Sequence, residues 1–359
     1  MKERKKDWLI IGFFMLSPII GVAGTAAYAW GFGIRWWQPV LFLVLYALVG
    51  LSVTAGYHRL FAHRSYECHP VIQAFYLFFG AMALQNSILA WASDHRIHHR
   101  YVDRDWDPYN IRRGGLWAHV LWIFYKRAPD NFDSVPDLKR NRLAQWQHRF
   151  ANPLGIVAGL GLPAAIGAAF GDPIGGLLWG GFLRIVVIHH TTFFVNSVAH
   201  LYGSRPYTEA NSARDNALLA FVTNGEGFHN FHHRFPSDFR NGICWYHWDP
   251  TKWLIRLLGV LGLARGLRKT PHPAIERSRL KTAIDRVERR LSQAPSPLHE
   301  SIRHRMEQAH HSLERAATLW NDRRQKRRRD RKEYREHLAR ARQHRREALR
   351  MLARFPEGA

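Results

Sequence analysis

The chain has 359 residues and a formal net charge of +24, with 52 Lys and Arg against 28 Asp and Glu. This surplus suggests a nucleic-acid-binding protein, and a mean hydropathy of −0.30 suggests a soluble one. The distribution of charge excludes both interpretations, because half of the surplus lies in the last 89 residues, whereas nearly all long apolar runs lie in the first 270. The cysteines, Cys68 and Cys244, are too few for a disulfide framework or a zinc site of Cys pairs.

Apolar runs predict the membrane spans, since crossing a bilayer takes about 20 such residues. We expect four spans, at about 8–30, 37–57, 153–171 and 174–199. The run 71–91 contains Gln85 and Asn86, which a lipid-exposed span rarely tolerates, so we expect a helix that dips into the bilayer without crossing. Arg184, His189 and His190 lie inside the fourth span, where we expect them to pack inward.

The placement of Lys and Arg predicts the orientation. The N-terminus and the segment 59–149 are basic, whereas the turns near Arg35 and Asp172 are short and nearly uncharged. By the positive-inside rule, both termini and the basic segment face the cytoplasm. The sequence therefore predicts an all-α integral membrane domain over 1–270 with four spans and a cytoplasmic helical cap.

The remaining residues, 271–359, are predicted to form a basic helical tail. Its most basic run, 323–329, is most simply a solvated helix face. Attraction to anionic lipid is the second interpretation, and docking of an acidic electron-donor protein is the third. Nucleic-acid binding is the least supported, because aromatic residues are sparse between the charges.

Histidines are concentrated in clusters that the predicted topology places at one membrane face. The nine residues of these clusters are His58, His63, His95, His98, His99, His200, His229, His232 and His233. Residues i, i+3 and i+4 share a helix face, so each HxxHH triad is predicted to present three imidazoles to one point. His58 and His63 would converge only if their helix ends or bends between them, because five residues are about 140° apart on an ideal helix.

Such a set predicts a metal centre. Imidazole suits iron, zinc, copper or nickel, and nine nitrogens exceed what one ion accepts, so two ions are expected. An all-imidazole shell leaves the metal charge uncompensated, so acidic side chains are expected behind the ligands. Asp94, Asp215 and Glu226 lie close to the clusters in sequence.

In these residues the chain resembles the membrane fatty-acyl desaturases of the stearoyl-CoA desaturase type, over about residues 8–262. The resemblance rests on TAGYHRLFAHRSY (54–66), WASDHRIHH (91–99), NSVAH (196–200) and EGFHNFHH (226–233). It implies that the nine histidines hold two non-haem irons and that Asn196 adds a metal position through water. It also implies that Gln85, Trp91 and Thr192 shape a kinked acyl tunnel. Residues implied to contact the acyl carrier are Asn86, Asp94, Lys126 and Arg127.

The activity implied is insertion of a cis double bond, at delta-9, into a saturated acyl chain with O2 as co-substrate. Ser93, Phe193 and Tyr57 depart from the animal pattern, so acyl-CoA is favoured as the carrier, with acyl-carrier protein and membrane lipid as alternatives. The sequence has no His-Pro-Gly-Gly motif of a fused haem domain. Two electrons are therefore expected from a separate donor, such as a ferredoxin or rubredoxin with its reductase, at a bacterial inner membrane.

Two other functions fit parts of this pattern. A membrane hydroxylase of fatty acids or alkanes would use the same metal centre. A divalent-metal transporter would also need histidines, but transporters place their ligands near the bilayer midplane. The clusters here lie at span ends and between spans, which favours the oxidoreductase.

Overall fold

A computed structural model describes residues 5–125, 132–291, 298–322 and 328–353. The chain forms two compact units. The first consists of Met1–Ser204 and Asn211–Lys269, and the second of Arg205–Ala210 and Thr270–Ala359. The second unit thus contains the predicted basic tail together with one short segment from further up the chain.

Two long helices open the first unit. Helix α1, Trp8–Phe32, begins where the Asp7 side chain accepts a hydrogen bond from Ile10 N, and it ends before Gly33, whose φ of 74° stops the helix. Helix α2, Trp37–Ala62, is α-helical at first and π-helical over Ser52–Ala62. The π-helical part is buried throughout, and it carries the first histidine motif.

The segment between α2 and the third span forms two helices where the sequence predicted one. After the short strand β1, Glu67–Cys68, helix α3 covers Pro70–Ala81 and helix α4 covers Ile88–Tyr101. The predicted continuous helix 71–91 is therefore wrong. Leu84 and Asn86 have positive φ angles of 53° and 81°, which end the first helix. Ser87 then starts the second, because its hydroxyl accepts a hydrogen bond from Ala90 N.

Short helical pieces lead from α4 to two further long helices. Helix α5 covers Gly115–His119, α6 covers Arg142–Ala169 and α7 covers Pro173–Leu201. Helix α6 begins 11 residues before the predicted third span, because its first turns are polar and carry no apolar signal. The Asn141 side chain caps it by accepting a hydrogen bond from Ala144 N. Both α6 and α7 contain a π-helical stretch.

Among the described residues, α1, α2, α6 and α7 are long and apolar enough to cross a membrane. This confirms the predicted all-α class with four spans. Their ends away from the histidines are joined at Asp172, whose carboxylate accepts hydrogen bonds from Tyr28 Oη at 2.6 Å and from Gln38 Nε2 at 2.8 Å. The chain is an integral membrane protein.

Small elements complete the first unit beside the span ends. They are α8, Ala217–Val222; α9, His229–Arg234; α10, Pro250–Val260; and the strand β2, Ala264–Arg265, which pairs antiparallel with β1. Helix α8 is tied to the second span, because Tyr46 Oη donates to the carbonyl of Val222 at 2.7 Å.

The described residues of the second unit are mostly helical. It contains α11, His272–Leu291; α12, Leu298–Asp322; and α13, Arg328–Ala353. Its apolar core consists of Leu280, Ala309, Ala316, Tyr334, Leu338 and Ala341. Glu209 accepts hydrogen bonds from Arg286, and Ser278 Oγ donates to Tyr207 O at 2.7 Å, so the segment Arg205–Ala210 belongs to this unit. Residues 323–327 of the basic run lie outside the described residues.

Candidate metal centre and substrate cavity

The nine predicted histidines come together in two groups. The first group is His58, His63, His95, His99 and His232; the second is His98, His200, His229 and His233. Within each group, one ring nitrogen of every histidine lies within 4.8 Å of the others. The residues are buried or partly buried, and they come from α2 and its end, α4, α7 and α9. These clusters can bind metal.

The prediction that each HxxHH triad would face a single point is wrong. In α4, His95 and His99 join the first group and His98 joins the second. Helix α9 is divided in the same way: His229 and His233 belong to the second group, and His232 belongs to the first. The reason is the angle between side chains on a helix. Residues i and i+4 are offset by about 40°, whereas residue i+3 points about 100° away from residue i+4. Each triad therefore serves both groups.

A π-helical turn brings His58 and His63 together. Such a turn closes hydrogen bonds from residue i to i+5, so residues five apart lie on the same face. The backbone N–H of His63 donates to the carbonyl of His58 at 3.0 Å, and the two rings are 4.8 Å apart. Helix α2 also ends at Ala62, so the expected helix end does lie between the two histidines, and the wider π-helical turn brings their rings together.

The ring nitrogens converge at ligand spacing. In the first group, the Nε2–Nε2 distance is 3.0 Å for His58–His232, 2.7 Å for His63–His95 and 2.9 Å for His99–His232. In the second group, it is 3.1 Å for His200–His229, 3.0 Å for His229–His233 and 3.2 Å for His98–His233. Neighbouring nitrogens around one ion lie about 3 Å apart when each metal–nitrogen bond is about 2.0–2.1 Å.

Carboxylates on the far side of two rings fix the tautomers. His58 Nδ1 lies 2.8 Å from Glu226 Oε2, and His98 Nδ1 lies 2.8 Å from Asp107 Oδ1. Because an ionised carboxylate only accepts hydrogen bonds, each Nδ1 carries the proton and each Nε2 presents its lone pair to the group. Lone pairs facing each other at about 3 Å repel unless a cation lies between them. The donor set therefore fits a metal ion in each group.

His200 is oriented through a hydroxyl. The Ser212 hydroxyl donates to Asp103 Oδ1 at 2.5 Å, so its oxygen accepts the Nδ1 proton of His200 at 2.7 Å. Of the acidic residues that the sequence suggested, Glu226 takes the expected position, Asp94 lines the cavity described below, and Asp215 accepts from the backbone N–H of Phe231. Sequence reasoning missed Asp103 and Asp107, for which the only signal was their position just after the second histidine motif.

Burial keeps the imidazoles neutral. It lowers the pKa values well below the ordinary value, and neighbouring imidazoles lower them further. This holds for His63, His95, His99, His229, His232 and His233. A neutral imidazole is the form that binds a metal.

A network of buried charges supports His58 from behind. Arg59 Nη2 lies 2.9 Å from Glu226 Oε1 and 3.0 Å from Asp249 Oδ1, and Arg59 Nη1 donates to the carbonyl of Phe239 at 2.8 Å. Burial alone would raise the pKa of Glu226, but the charge of Arg59 and the hydrogen bonds from His58 and Arg59 lower it to about 2. The carboxylate that orients His58 is therefore ionised.

A cavity of about 640 Å³ opens onto both histidine groups. Its lining includes His58 and His95 of the first group, His98 and His229 of the second, and apolar side chains of α1, α2 and α7. A largely apolar cavity that opens onto a candidate metal site suits an apolar ligand.

The residues implied to shape the kink form one hydrogen-bonded chain in the cavity wall. Gln85 Nε2 donates to Thr192 Oγ1 at 2.9 Å, and Trp91 Nε1 donates to Gln85 Oε1 at 3.3 Å. Asn86, Asp94 and Asn196 also line the cavity. Lys126 and Arg127, the other two residues implied to contact the carrier, lie outside the described residues.

The three residues that depart from the animal pattern have ordinary partners. Ser93 Oγ lies 2.8 Å from Ser134 Oγ, and the Phe193 ring stacks on His189. The Tyr57 hydroxyl accepts from Gln147 Nε2 at 2.8 Å. Its ring packs so closely on Gly80 that a Cβ there would collide with Tyr57 Cε1.

Comparison with known proteins identifies the family. The fatty acid desaturase family model matches residues 34–259, which include all nine histidines. The chain belongs to the fatty acid desaturase family. It is 40% identical to a probable acyl-CoA desaturase of Schizosaccharomyces pombe over 277 residues, which are 76% of this chain and 57% of the relative. It is also 40% identical to acyl-CoA desaturase 1 of Saccharomyces cerevisiae over 293 residues, 79% of this chain and 56% of the relative.

A relative of another kind covers more of its own length. The sn-2 palmitoyl-lipid 9-desaturase of a Nostoc species is 36% identical over 272 residues, 74% of this chain and 91% of the relative. This fatty acid desaturase family member therefore spans little more than half of the two yeast proteins and most of the cyanobacterial one. The resemblance inferred from the histidine motifs is confirmed.

Proposed function

We propose that the chain is a fatty-acyl desaturase that inserts a cis double bond at delta-9 into a saturated acyl chain. The observation that carries this proposal is the apolar cavity that opens onto two all-histidine groups. The family relatives support it, since those described above are named acyl-CoA desaturases or a lipid 9-desaturase. The overall reaction consumes O2, two electrons and two protons, and it releases two water molecules with the alkene.

We propose iron as the metal, held by the nine histidines, with Asn196 adding a position through water. The two irons supply the reduction of O2 and the removal of two hydrogens from unactivated methylenes, which no side chain can perform. The protein supplies orientation and a dry cavity. Glu226, Asp107 and the Asp103–Ser212 pair hold the protons on Nδ1 of three histidines, so that the Nε2 atoms stay free to bind the ions.

The cavity wall determines where the acyl chain bends. We propose that Gln85, Trp91 and Thr192 hold the bend beside the histidine groups, so that one pair of methylenes faces the metals. Asn86, Asp94, Lys126 and Arg127 are proposed to contact the carrier, which is acyl-CoA in this proposal. Membrane lipid is the alternative carrier that the cyanobacterial relative supports.

We propose that the spans lie in the inner membrane of a bacterium and that both termini face the cytoplasm. Two electrons per turnover are proposed to come from a ferredoxin or rubredoxin with its reductase.

Lipid analysis tests the activity. A host fed stearate and expressing the chain is expected to accumulate an 18-carbon mono-unsaturated acid, and the product is expected to be absent with His229→Ala, which removes a member of the second group. His310→Ala, at an exposed histidine of α12, is the control and should match the unmodified chain. Gas chromatography of fatty-acid esters measures this. A hydroxylated acid or alkane as the main product would show a hydroxylase, and an unchanged product with His229→Ala would refute the role of the second group.

The carrier is tested separately with purified protein, reduced donor and O2. With stearoyl-CoA as the substrate, we expect the unsaturated acyl-CoA to form directly, without any phospholipid substrate. Conversion of stearoyl-phosphatidylcholine alone, with stearoyl-CoA left unchanged, would assign the lipid as substrate.

A further inference from the structure

Arg184 is a buried cation in the middle of a membrane-spanning helix. Its relative exposure is 0%, and it lies 16 residues before His200, about 24 Å along α7. In the part of the chain that the structure describes, no carboxylate pairs with it. A buried charge in a span costs free energy unless its donors are fully satisfied, and such residues usually have a function.

Three backbone carbonyls accept hydrogen bonds from the guanidinium. Nε donates to Gly180 O at 3.0 Å, Nη1 to Met82 O at 2.6 Å and Nη2 to Gly159 O at 2.8 Å. These carbonyls belong to α7, to the segment after α3 and to α6. Gly180 and Gly159 both lie in π-helical stretches. One side chain therefore links three separate segments at membrane depth.

The segment 82–87, which joins α3 to α4 and which we call the tip, contains one of these three carbonyls. A helix end leaves carbonyls without donors, and inside a bilayer no water replaces them. Arg184 provides the donor for Met82, and its charge suits the negative end of the α3 dipole.

The tip is also a wall of the substrate cavity. Leu84, Gln85 and Asn86 line it, and Gln85 carries the hydrogen bonds to Thr192 and Trp91. Movement of the tip would therefore move the bend of the cavity relative to the histidines. The link is also tight, because a Cβ on Gly159 would lie 3.3 Å from Met82 O and 3.5 Å from Arg184 Nη2.

We propose that Arg184 is a positioning residue that holds the tip at a fixed depth and thereby sets which methylenes are desaturated. The inference rests on the proposed desaturase function. It goes beyond that function by assigning the regiochemistry to a residue that does not itself line the cavity. A merely structural arginine would affect the amount of folded protein and leave the position of the double bond unchanged.

The test compares positional isomers of the product in the full chain. Arg184→Met removes the link, and Gly159→Ala crowds it while keeping the charge, in case the first variant fails to fold. Gln38→Leu is the matched control, because it removes another buried hydrogen bond between span ends, far from the tip. Mass spectrometry of derivatised fatty acids gives the double-bond positions, and size-exclusion chromatography and iron content show whether each variant is folded and loaded.

One extra or missing methylene in a hydrophobic pocket changes discrimination by about 10- to 200-fold. We therefore expect the ratio of minor to major positional isomers to rise by about tenfold with Arg184→Met and by less with Gly159→Ala, and to stay unchanged with Gln38→Leu. An unchanged ratio in folded, loaded Arg184→Met overturns the proposal, as does an unchanged ratio in Gly159→Ala if Arg184→Met does not fold. Absence of any unsaturated product from the unmodified chain would instead refute the proposed function.

Discussion

Replacement of His232 by alanine is expected to reduce bound iron from about two ions per chain to about one or fewer and to abolish desaturation. His232 is central to the first group, because its Nε2 lies 3.0 Å from that of His58 and 2.9 Å from that of His99. Its loss leaves a gap in a ligand set that neighbouring side chains do not fill. Inductively coupled plasma mass spectrometry of the purified protein measures the metal, and product analysis measures the activity.

The control for this experiment is His119→Ala. His119 Nε2 lies 3.0 Å from His190 Nδ1, so it belongs to a histidine pair outside both groups. We expect the iron content of the His119→Ala variant to match that of the unmodified chain. Normal iron content in His232→Ala would show that the first group is not a metal site.

Replacement of Glu226 by glutamine is expected to weaken metal binding by about 10- to 100-fold. Glutamine keeps the shape of the side chain, but it no longer offers two charged acceptors to His58, Arg59 and Asn241 Nδ2, which lies 2.7 Å from Glu226 Oε2. Breaking a buried ion pair on one side costs about 3–5 kcal/mol, so the free energy of unfolding should fall as well. Competition with a chelator measures the affinity, and thermal unfolding measures the stability.

The pH dependence provides a second readout for Glu226. Its pKa is about 2 in the folded protein and about 4.3 when unfolded. Its contribution to stability is therefore complete above pH about 4.3 and is lost as the pH falls towards 2. Asp238→Asn is the matched control, because Asp238 is also buried and paired with an arginine, Arg240, at 2.8 Å. Equal loss of metal affinity in both variants would contradict a specific role of Glu226.

The sequence predicted the four long apolar helices and the clustering of the histidines well, because both depend on strong local signals. Apolar runs identify α1, α2 and α7 nearly to their ends. The polar start of α6 carries no such signal, so the third helix was predicted too short. The break between α3 and α4 was missed because it depends on a few positive φ angles and one cap at Ser87, which an apolar run conceals.

The arrangement of the ligands was harder to predict than their identity. Spacing showed that His95, His98 and His99 share part of a helix surface, but the division between two ions depends on what faces that surface from α9. The π-helical stretch Ser52–Ala62 has no signature in its residues. His190 was expected to pack inward, yet it is exposed and pairs with His119. The sequence gives no signal for this pair, because the two residues lie 71 positions apart.

The division of each triad has a consequence for the distance between the two histidine groups. In the described part of the chain, both groups consist of histidines alone. Helices α4 and α9 each contribute histidines to both groups within a short stretch. The separation of the two groups is therefore set by two helix backbones, and it should be the same whichever metal is bound.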